Sequence, residues 1–578
     1  MALATVLLIV VCLPVYAAMT GLSLASDLSV PLTFITFGAV LVHLAIFFLK
    51  KRVHPVSQLL VSVLWVFTLF AVLISWVYRE ITLSPFSLMF AIRNLSDTYH
   101  SLVHVLGFSG LIVAMIACVV LIVLGIRAAQ GAQRFLASKL SGVRLTGAAR
   151  IANGAVFCIG MVLLISSVVR ASVLLARDQY GRVRPKSAMP TDLAVTGKAD
   201  VFILHIEGFN SKYFFPDDGE TEKGFHPKVP LPGFKTILEN GSGIFFPLFW
   251  SNSFPTYRAF ETILCGTSGT PGAMVTSLPD WDPKARPCLP RILHEAGYKT
   301  EFLSSYYNLS FYDVGSFSRD LGFKNSAYND QLMKPGDRKF SWGYDDCAFY
   351  ERAFEHLEAK YRSPDPLFVY LEVSMHHAPF SEPKYPKAHP YPSPRDYGQA
   401  YANSVVEQDH CLKTFWERYS RFRRPNSHLF IVPDHSVALE KEFDIKDLFG
   451  VSLLYVPPAG RREVFPPGVR RGVSASQAQL VPTILELLNE RPYKHSFAFS
   501  LRGKERSRGE RECHYLSSPF DRLVVKRENE TFGYLMNHHK IVRYVYRPDR
   551  SGRLRLLSET VENLVPLDRF YELYDCWE

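Results

Sequence analysis

The chain has 578 residues, 48% of them hydrophobic, and a formal net charge of +10. This length is too great for one ordinary domain. The positive charge does not indicate nucleic-acid binding, because part of it lies in short loops between apolar segments and the rest is spread through an arginine-rich C-terminal third. The charge is interpreted instead as a basic protein surface near anionic lipid.

The first 175 residues predict an α-helical membrane domain of five spans. Each span approaches or exceeds the roughly 20 apolar residues that cross a bilayer. The predicted spans are 2–24, 30–49, 56–78, 105–127 and 151–175. The first lacks a basic N-terminal region and is followed by four more spans, so it is interpreted as a membrane span and not as a cleaved signal peptide.

Basic residues predict the orientation of these spans. The loops after the second and fourth spans are rich in Lys and Arg, at 50–52 and 127–150. Positive loops stay in the cytoplasm, which places the N-terminus inside and everything after the fifth span outside. Six of the nine cysteines fall in that external part, and an oxidising compartment permits disulfides between them. Cys265–Cys288 is the first candidate pair.

The external part begins after a linker at 176–200. Residues 201–578 alternate short β-rich segments with helical segments, for example a helical segment at 289–297 before a strand at 299–304. This alternation predicts an α/β domain with a mostly parallel central sheet that is sandwiched by helices.

Three apolar segments of this domain end in residues that bind metals or phosphate. They are followed by Glu207, by His376 and His377, and by Asp434 and His435. In a parallel α/β sheet, ligands bind outside the carboxyl ends of the strands. The three strand ends therefore predict one active site.

Thr256 is the candidate nucleophile of this site. The segment 251–256 is turn-like, and 257–264 has helical apolar spacing. Thr256 is thus predicted at a helix N-terminus, where free N–H groups favour an anion. A hydroxyl there can bind a metal, lose its proton and attack phosphorus. For this segment taken alone, a plain N-cap threonine is the commoner explanation.

The metal site is predicted from four residues together. Glu207 at the end of a buried strand is costly if ionised and unpaired, and a cation removes that cost. Asp434 and His435 are an oxygen and nitrogen pair that suits zinc or manganese. With Thr256 they form a four-ligand set, although an Asp-His pair alone is more often a turn with a surface histidine.

Further residues are candidates for substrate binding. His377 offers a hydrogen bond to a phosphate oxygen or a proton to a leaving alkoxide. His376 shares that role, binds a second metal or is solvated. Arg258 clamps phosphate or is an exposed helix arginine. Asn308 and Asp313 are candidates for contact with a head group.

These motifs resemble the membrane-anchored, sulfatase-like transferases of the alkaline phosphatase superfamily. That family includes lipoteichoic acid synthase, the phosphoglycerol transferase of periplasmic glucans and the lipid A phosphoethanolamine transferases. Thr256 and the residues up to Glu261 resemble its nucleophile helix, and His377 with the following Ala-Pro-Phe its phosphate-binding motif. Glu207, Asp434 and His435 match its metal ligands. Two more segments resemble family landmarks: 342–346 and 474–484.

The resemblance implies transfer of a phospho-alcohol head group through a phospho-threonine at Thr256. The donor would be phosphatidylglycerol or phosphatidylethanolamine, with phosphoglycerol favoured, and the acceptor a cell-envelope glycan or glycolipid. Mn²⁺ or Mg²⁺ accompanies the phosphoglycerol interpretation, and Zn²⁺ the phosphoethanolamine one. The implied location is the bacterial inner membrane, with the N-terminus cytoplasmic and an alkaline-phosphatase-like catalytic domain periplasmic or extracellular. Ala259 departs from the glycine of the glucan branch.

The residues bear on three other functions. A sulfatase needs a formylglycine made from Cys or Ser, and the extra methyl group of Thr256 prevents that conversion. A metal-dependent phosphodiesterase, which passes the intermediate to water, stays open. A catalytically silent membrane scaffold is the non-enzyme alternative, and the presence of all four candidate ligands counts against it.

Overall fold

The computed structural model describes part of the chain. The described residues are 195–214, 229–253, 256–266, 288–306, 314–340, 342–377, 380, 385–437, 449–459, 468–469, 475–489, 500–501, 512–517, 522–527, 531–537, 540–548 and 554–562. They lie in the second of two units into which the chain divides, Met1–Arg182 and Val183–Glu578. The five predicted spans lie outside the described residues. Among the described helices, none has the length and apolar character to cross a bilayer.

A nine-stranded sheet forms the centre of the described domain, in the order β4-β3-β5-β1-β6-β7-β2-β8, with β9 paired to β2. The strands are β1 Val201–Ile206, β2 Ile244–Trp250, β3 Lys299–Ser304, β4 Asn325–Tyr328, β5 Leu367–Glu372, β6 His428–Pro433, β7 Gly450–Val456, β8 Gly468–Val469 and β9 Ala475–Ser476. Strands β4, β3, β5, β1 and β6 are parallel, whereas β7 runs antiparallel to both β6 and β2. The predicted mostly parallel sheet is confirmed.

Helices cover both faces of this sheet. They are α1 Pro232–Asn240, α2 Thr256–Cys265, α3 Leu289–Glu295, α4 Val314–Leu321, α5 Asp346–Lys360, α6 Tyr397–Phe422 and α7 Leu480–Asn489. Side chains of α1, α5 and α6 pack into one apolar cluster with one face of the sheet. Side chains of α2, α3, α4 and α7 pack into a second cluster with the other face. The predicted sandwich is therefore also confirmed.

Strand β1 shows why its sequence is apolar at almost every position. Phe202 and Leu204 belong to the first cluster, whereas Val201 and Ile203 belong to the second. A strand that is buried on both faces needs apolar residues on both. Because side chains alternate along a strand, residues with odd numbers in β1 face the side on which α2 lies.

The C-terminal part of the chain differs from the prediction of continued strand–helix alternation. It forms a five-stranded sheet in sequence order, with every neighbouring pair antiparallel. The strands are β10 Glu512–Ser517, β11 Arg522–Arg527, β12 Thr531–Asn537, β13 Lys540–Pro548 and β14 Leu554–Glu562. The connecting segments are too short to hold the crossover helix that parallel strands need, so hairpins form instead.

Within the described residues, two disulfides link helices of the central domain to neighbouring segments. Cys265 at the end of α2 is bonded to Cys288, the residue before α3. The sequence analysis gave this pair as the first candidate disulfide, and the structure confirms it. Cys347 in α5 is bonded to Cys411 in α6, a pair that the sequence did not predict.

Candidate active site

The three predicted strand ends lie side by side in the structure. Strand β1 pairs in parallel with β5 on one side and with β6 on the other. Glu207 follows β1, His376 and His377 follow β5, and Asp434 and His435 follow β6. The sheet therefore brings these residues to one edge, as the rule for parallel strands predicts.

Thr256 lies at the same place and begins α2, as the sequence predicted. Its Oγ1 lies 3.3 Å from Glu207 Oε2 and 3.3 Å from His435 Nε2. His435 Nε2 in turn lies 3.5 Å from Glu207 Oε1 and 3.2 Å from Asp434 Oδ2. All four side chains are buried. The structure thus brings the four predicted metal ligands together around one small space.

The two oxygens of Asp434 have different surroundings. Oδ1 accepts the backbone N–H groups of Gly208 at 2.8 Å and of His435 at 2.7 Å. Oδ2 is buried and, within the described residues, accepts no hydrogen bond. A buried oxygen that accepts no hydrogen bond is costly. The backbone therefore points Oδ2 into the space between Glu207 and His435, where a cation would satisfy it.

The charges at the site fit a divalent cation. Burial and the negative charge of Asp434 raise the pKa of Glu207 well above its ordinary value. Burial also raises the pKa of Asp434, but His435 and His205 outweigh it and lower this pKa overall. Two buried carboxyl groups that share one space cannot both ionise cheaply. Carboxylate, hydroxyl and imidazole donors together suit a divalent metal.

Three residues that the sequence analysis missed also border this space. His205, Glu207 and Asp434 place ligand atoms within 4.8 Å of one another, and His205 Nε2 lies 3.5 Å from Asp434 Oδ2. Tyr306 donates its hydroxyl to Glu207 Oε2 at 2.9 Å. The charge of Glu372, which ends β5, also raises the pKa of Glu207. His205 had a sequence signal, because it precedes Glu207 by two residues in a strand and therefore shares its side. Glu372 had one as a charged residue at the end of an apolar segment.

The two histidines after β5 have different environments. His377 Nε2 lies 4.0 Å from Glu207 Oε1, and its partly exposed ring packs on Trp342 with centroids 4.2 Å apart. His377 therefore borders the site. His376 is buried, with Nδ1 2.6 Å from Ser404 Oγ and its ring packed against Tyr401. The alternative of a solvated His376 is wrong, because aromatic side chains enclose it.

Among the remaining substrate-binding candidates, the structure describes only Arg258. Arg258 is fully buried in α2, so the alternative of an exposed helix arginine is wrong. It follows Thr256 by two positions, and residues two apart do not share a helix face. Its role as a phosphate clamp stays a prediction. Asn308 and Asp313 lie outside the described residues.

A family model matches part of the domain. Residues 226–490 match the sulfatase family model. This part of the chain is similar to the sulfatase family. The match spans the helix that begins with Thr256 and the strand end that carries Asp434 and His435, and it starts after Glu207. A comparison with curated proteins found no match.

Several solved structures resemble this chain. A protein of the alkaline phosphatase superfamily from Vibrio parahaemolyticus has 17% identity and a TM-score of 0.51, with 69% of this chain and 91% of that chain covered. The lipoteichoic acid synthase LtaP from Listeria monocytogenes has 17% identity and a TM-score of 0.45, with coverage of 68% and 90%. The zinc complex of the C-terminal periplasmic domain of EptC from Escherichia coli has 12% identity and a TM-score of 0.42, with coverage of 59% and 93%. The likeness to the Vibrio protein shows an alkaline phosphatase-like fold.

Proposed function

We propose that this protein is a membrane-anchored, metal-dependent phosphotransferase that uses Thr256 as its nucleophile. It moves a phospho-alcohol head group, with phosphoglycerol favoured, from a membrane phospholipid to a cell-envelope glycan or lipid. The observation that carries the proposal is the position of the Thr256 hydroxyl, at a helix N-terminus and 3.3 Å from both Glu207 and His435. Capping of the helix alone would not explain why a buried carboxyl group and an imidazole lie beside the Thr256 hydroxyl.

The residues of the site divide the chemical work. Glu207, Asp434, His435 and Thr256 would hold a divalent cation, Mn²⁺ or Mg²⁺ in the favoured interpretation and Zn²⁺ in the alternative. Bound there, the cation lowers the pKa of a coordinated hydroxyl and neutralises charge on phosphoryl oxygens. Glu207 Oε2 accepts the hydrogen bond of the Thr256 hydroxyl and so orients its oxygen.

The transfer then takes two steps. The Thr256 oxygen, whose proton has passed to water, forms a bond to phosphorus while the bond from phosphorus to the diacylglycerol oxygen breaks, and His377 gives the leaving alkoxide its proton. In the second step an acceptor hydroxyl forms a bond to the same phosphorus, His377 takes its proton, and the bond to the Thr256 oxygen breaks. Free N–H groups at the start of α2 stabilise the negative phosphoryl oxygens in both steps.

The location proposed for this chemistry is the outer side of a bacterial inner membrane. The five apolar segments in residues 1–175 would anchor the domain beside a donor that is confined to the lipid surface. The two disulfides, Cys265–Cys288 and Cys347–Cys411, support a compartment outside the cytoplasm, because such bonds persist where conditions are oxidising. The open alternatives are a phosphoethanolamine donor and a phosphodiesterase with water as acceptor.

Lipid turnover by the purified full-length protein in detergent tests the proposal. Labelled phosphatidylglycerol and phosphatidylethanolamine are supplied separately with Mn²⁺, Mg²⁺ or Zn²⁺, and diacylglycerol release is measured. We expect Thr256→Ala to lose at least about 10³-fold in rate, since removal of a nucleophile leaves only residual catalysis. Thr256→Ser is the matched control, because it keeps the hydroxyl and should keep measurable activity.

Three outcomes would count against the proposal. Undiminished turnover by Thr256→Ala would exclude the nucleophile. Cleavage of an aryl phosphodiester, with neither lipid consumed, would favour the phosphodiesterase. The absence of any turnover in a protein that melts cooperatively would favour the scaffold.

A further inference from the structure

Tyr306 contacts the centre of the site without being one of its predicted ligands. It follows β3 by two residues, and its side chain is almost completely buried. Its hydroxyl donates to Glu207 Oε2 at 2.9 Å, which is shorter than the 3.3 Å from Thr256 Oγ1 to the same oxygen. A hydrogen bond to a buried, ionisable carboxyl group is among the stronger ones in proteins.

The backbone around Tyr306 is held in place by neighbouring strand ends. Ser304 Oγ accepts the backbone N–H of Tyr306 at 3.2 Å and donates to Glu372 Oε2 at 2.7 Å. Tyr306 also forms an antiparallel bridge with Gly343. A side chain at Gly343 would collide with Ser374, so only glycine allows this close approach. The phenol is thus placed by the fold before any ligand binds.

The two oxygens of Glu207 therefore face different groups. Oε2 accepts hydrogen bonds from the hydroxyls of Tyr306 and Thr256. Oε1 lies 3.5 Å from His435 Nε2 and 4.0 Å from His377 Nε2. In the proposed reaction Thr256 gives up its proton and can no longer donate to Oε2. Tyr306 then remains as a donor to that oxygen.

We propose that Tyr306 is a positioning residue that fixes the Glu207 carboxylate so that it offers Oε1 to a divalent cation. This inference rests on the proposed function, since it takes Glu207 as a metal ligand. Groups that orient metal ligands typically account for about 10- to 100-fold in metal affinity. Loss of the Tyr306 hydroxyl alone should leave the fold intact, release Glu207 to rotate and weaken the binding of the cation.

Titration of the full-length protein in detergent with Mn²⁺, and separately with Zn²⁺, tests this role by calorimetry. We expect Tyr306→Phe to raise the dissociation constant at least about tenfold, with a melting temperature of the metal-free protein close to that of the wild type. Its transfer activity should return towards the wild-type value at saturating metal, because the hydroxyl acts through metal binding.

Tyr298→Phe is the matched control at the other end of the same strand. Tyr298 is buried just before β3, and its hydroxyl donates to the carbonyls of Gly197 at 3.0 Å and Ala199 at 2.9 Å. This variant also loses the hydrogen bonds of a buried tyrosine, yet it lies away from the carboxyl ends of the strands. We expect its metal affinity to equal that of the wild type.

The outcomes separate the inference from the function on which it rests. A Tyr306→Phe affinity within twofold of the wild type would overturn the positioning role and leave the proposed function standing. Equal weakening in both tyrosine variants would also overturn it, since the effect would then be general to the fold. Activity that stays low at saturating metal would make Tyr306 part of the reaction itself. A wild-type protein that binds neither ion would instead overturn the proposed function.

Discussion

Glu207→Gln should stabilise the metal-free protein while it removes the response to metal. Glu207 and Asp434 place carboxylate oxygens within 4.8 Å of each other, and both side chains are buried. Two negative charges at that separation repel by about 3 kcal/mol at an effective dielectric constant of about 20. Glutamine keeps the shape of the side chain and an oxygen that accepts the Tyr306 hydroxyl, but it carries no charge.

The direction of the pH dependence follows from the raised pKa of Glu207. A proton on Glu207 relieves the repulsion, so its stabilising contribution is complete at low pH and is lost as pH rises through the raised value. The gain in the metal-free Glu207→Gln variant should therefore be larger at pH 9 than at pH 6. Where Glu207 is fully ionised, we expect a rise in melting temperature of roughly 5 °C.

Thermal unfolding followed by tryptophan fluorescence measures both effects. The wild type and Glu207→Gln are compared in EDTA and in excess Mn²⁺. Added Mn²⁺ should raise the melting temperature of the wild type by mass action and leave that of the variant unchanged. The reasoning is refuted if the metal-free variant melts below the wild type at pH 9, or if it keeps the stabilisation by Mn²⁺.

Two further predictions concern buried charges away from the site. Asp409 accepts the N–H groups of Gly233 and Phe234, and burial nevertheless raises its pKa from 3.8 to about 7. The free energy of unfolding should therefore fall by up to about 4 kcal/mol as pH rises from 4 to 8. Urea unfolding of Asp409→Asn should not show this fall. An equal fall in the variant would contradict the assignment of the effect to Asp409. The Arg424 guanidinium donates hydrogen bonds to both carboxylate oxygens of the buried Asp200. In urea unfolding, Arg424→Ala should lower the free energy of unfolding by about 3 kcal/mol, because it leaves the buried Asp200 carboxylate without its cation. Arg424→Lys should recover only part of this loss. A loss below about 1 kcal/mol in Arg424→Ala would count against the pairing.

The strand ends of the site could be predicted because two simple rules apply to them. Apolar stretches that stop at polar residues mark the ends of buried strands, and parallel strands end at one edge. Glu207, Asp434 and His435 obey both rules, although they lie far apart in the chain. Thr256 could be placed because the apolar spacing after it has helical period. Local pattern was sufficient for these residues.

Tyr306, His376 and Arg258 show where local pattern stops being sufficient. Tyr306 reaches Glu207 because the chain after β3 pairs with Gly343, a contact between distant segments that no spacing encodes. Burial of His376 and Arg258 depends on which elements pack over them, so their exposure could not be predicted from sequence neighbours. The antiparallel sheet β10–β14 was missed because the alternation seen before it was extended to the end of the chain.

The site and the disulfides are connected through helix α2. Its first residue, Thr256, stands beside buried carboxyl groups whose mutual repulsion opposes folding when no cation is bound. Its last residue, Cys265, is bonded to Cys288. A cross-link of this kind reduces the freedom of the unfolded chain and so offsets part of the cost of the site. An oxidising compartment that keeps this bond formed would therefore also help to keep the domain folded before metal arrives, which is consistent with the proposed location outside the cytoplasm.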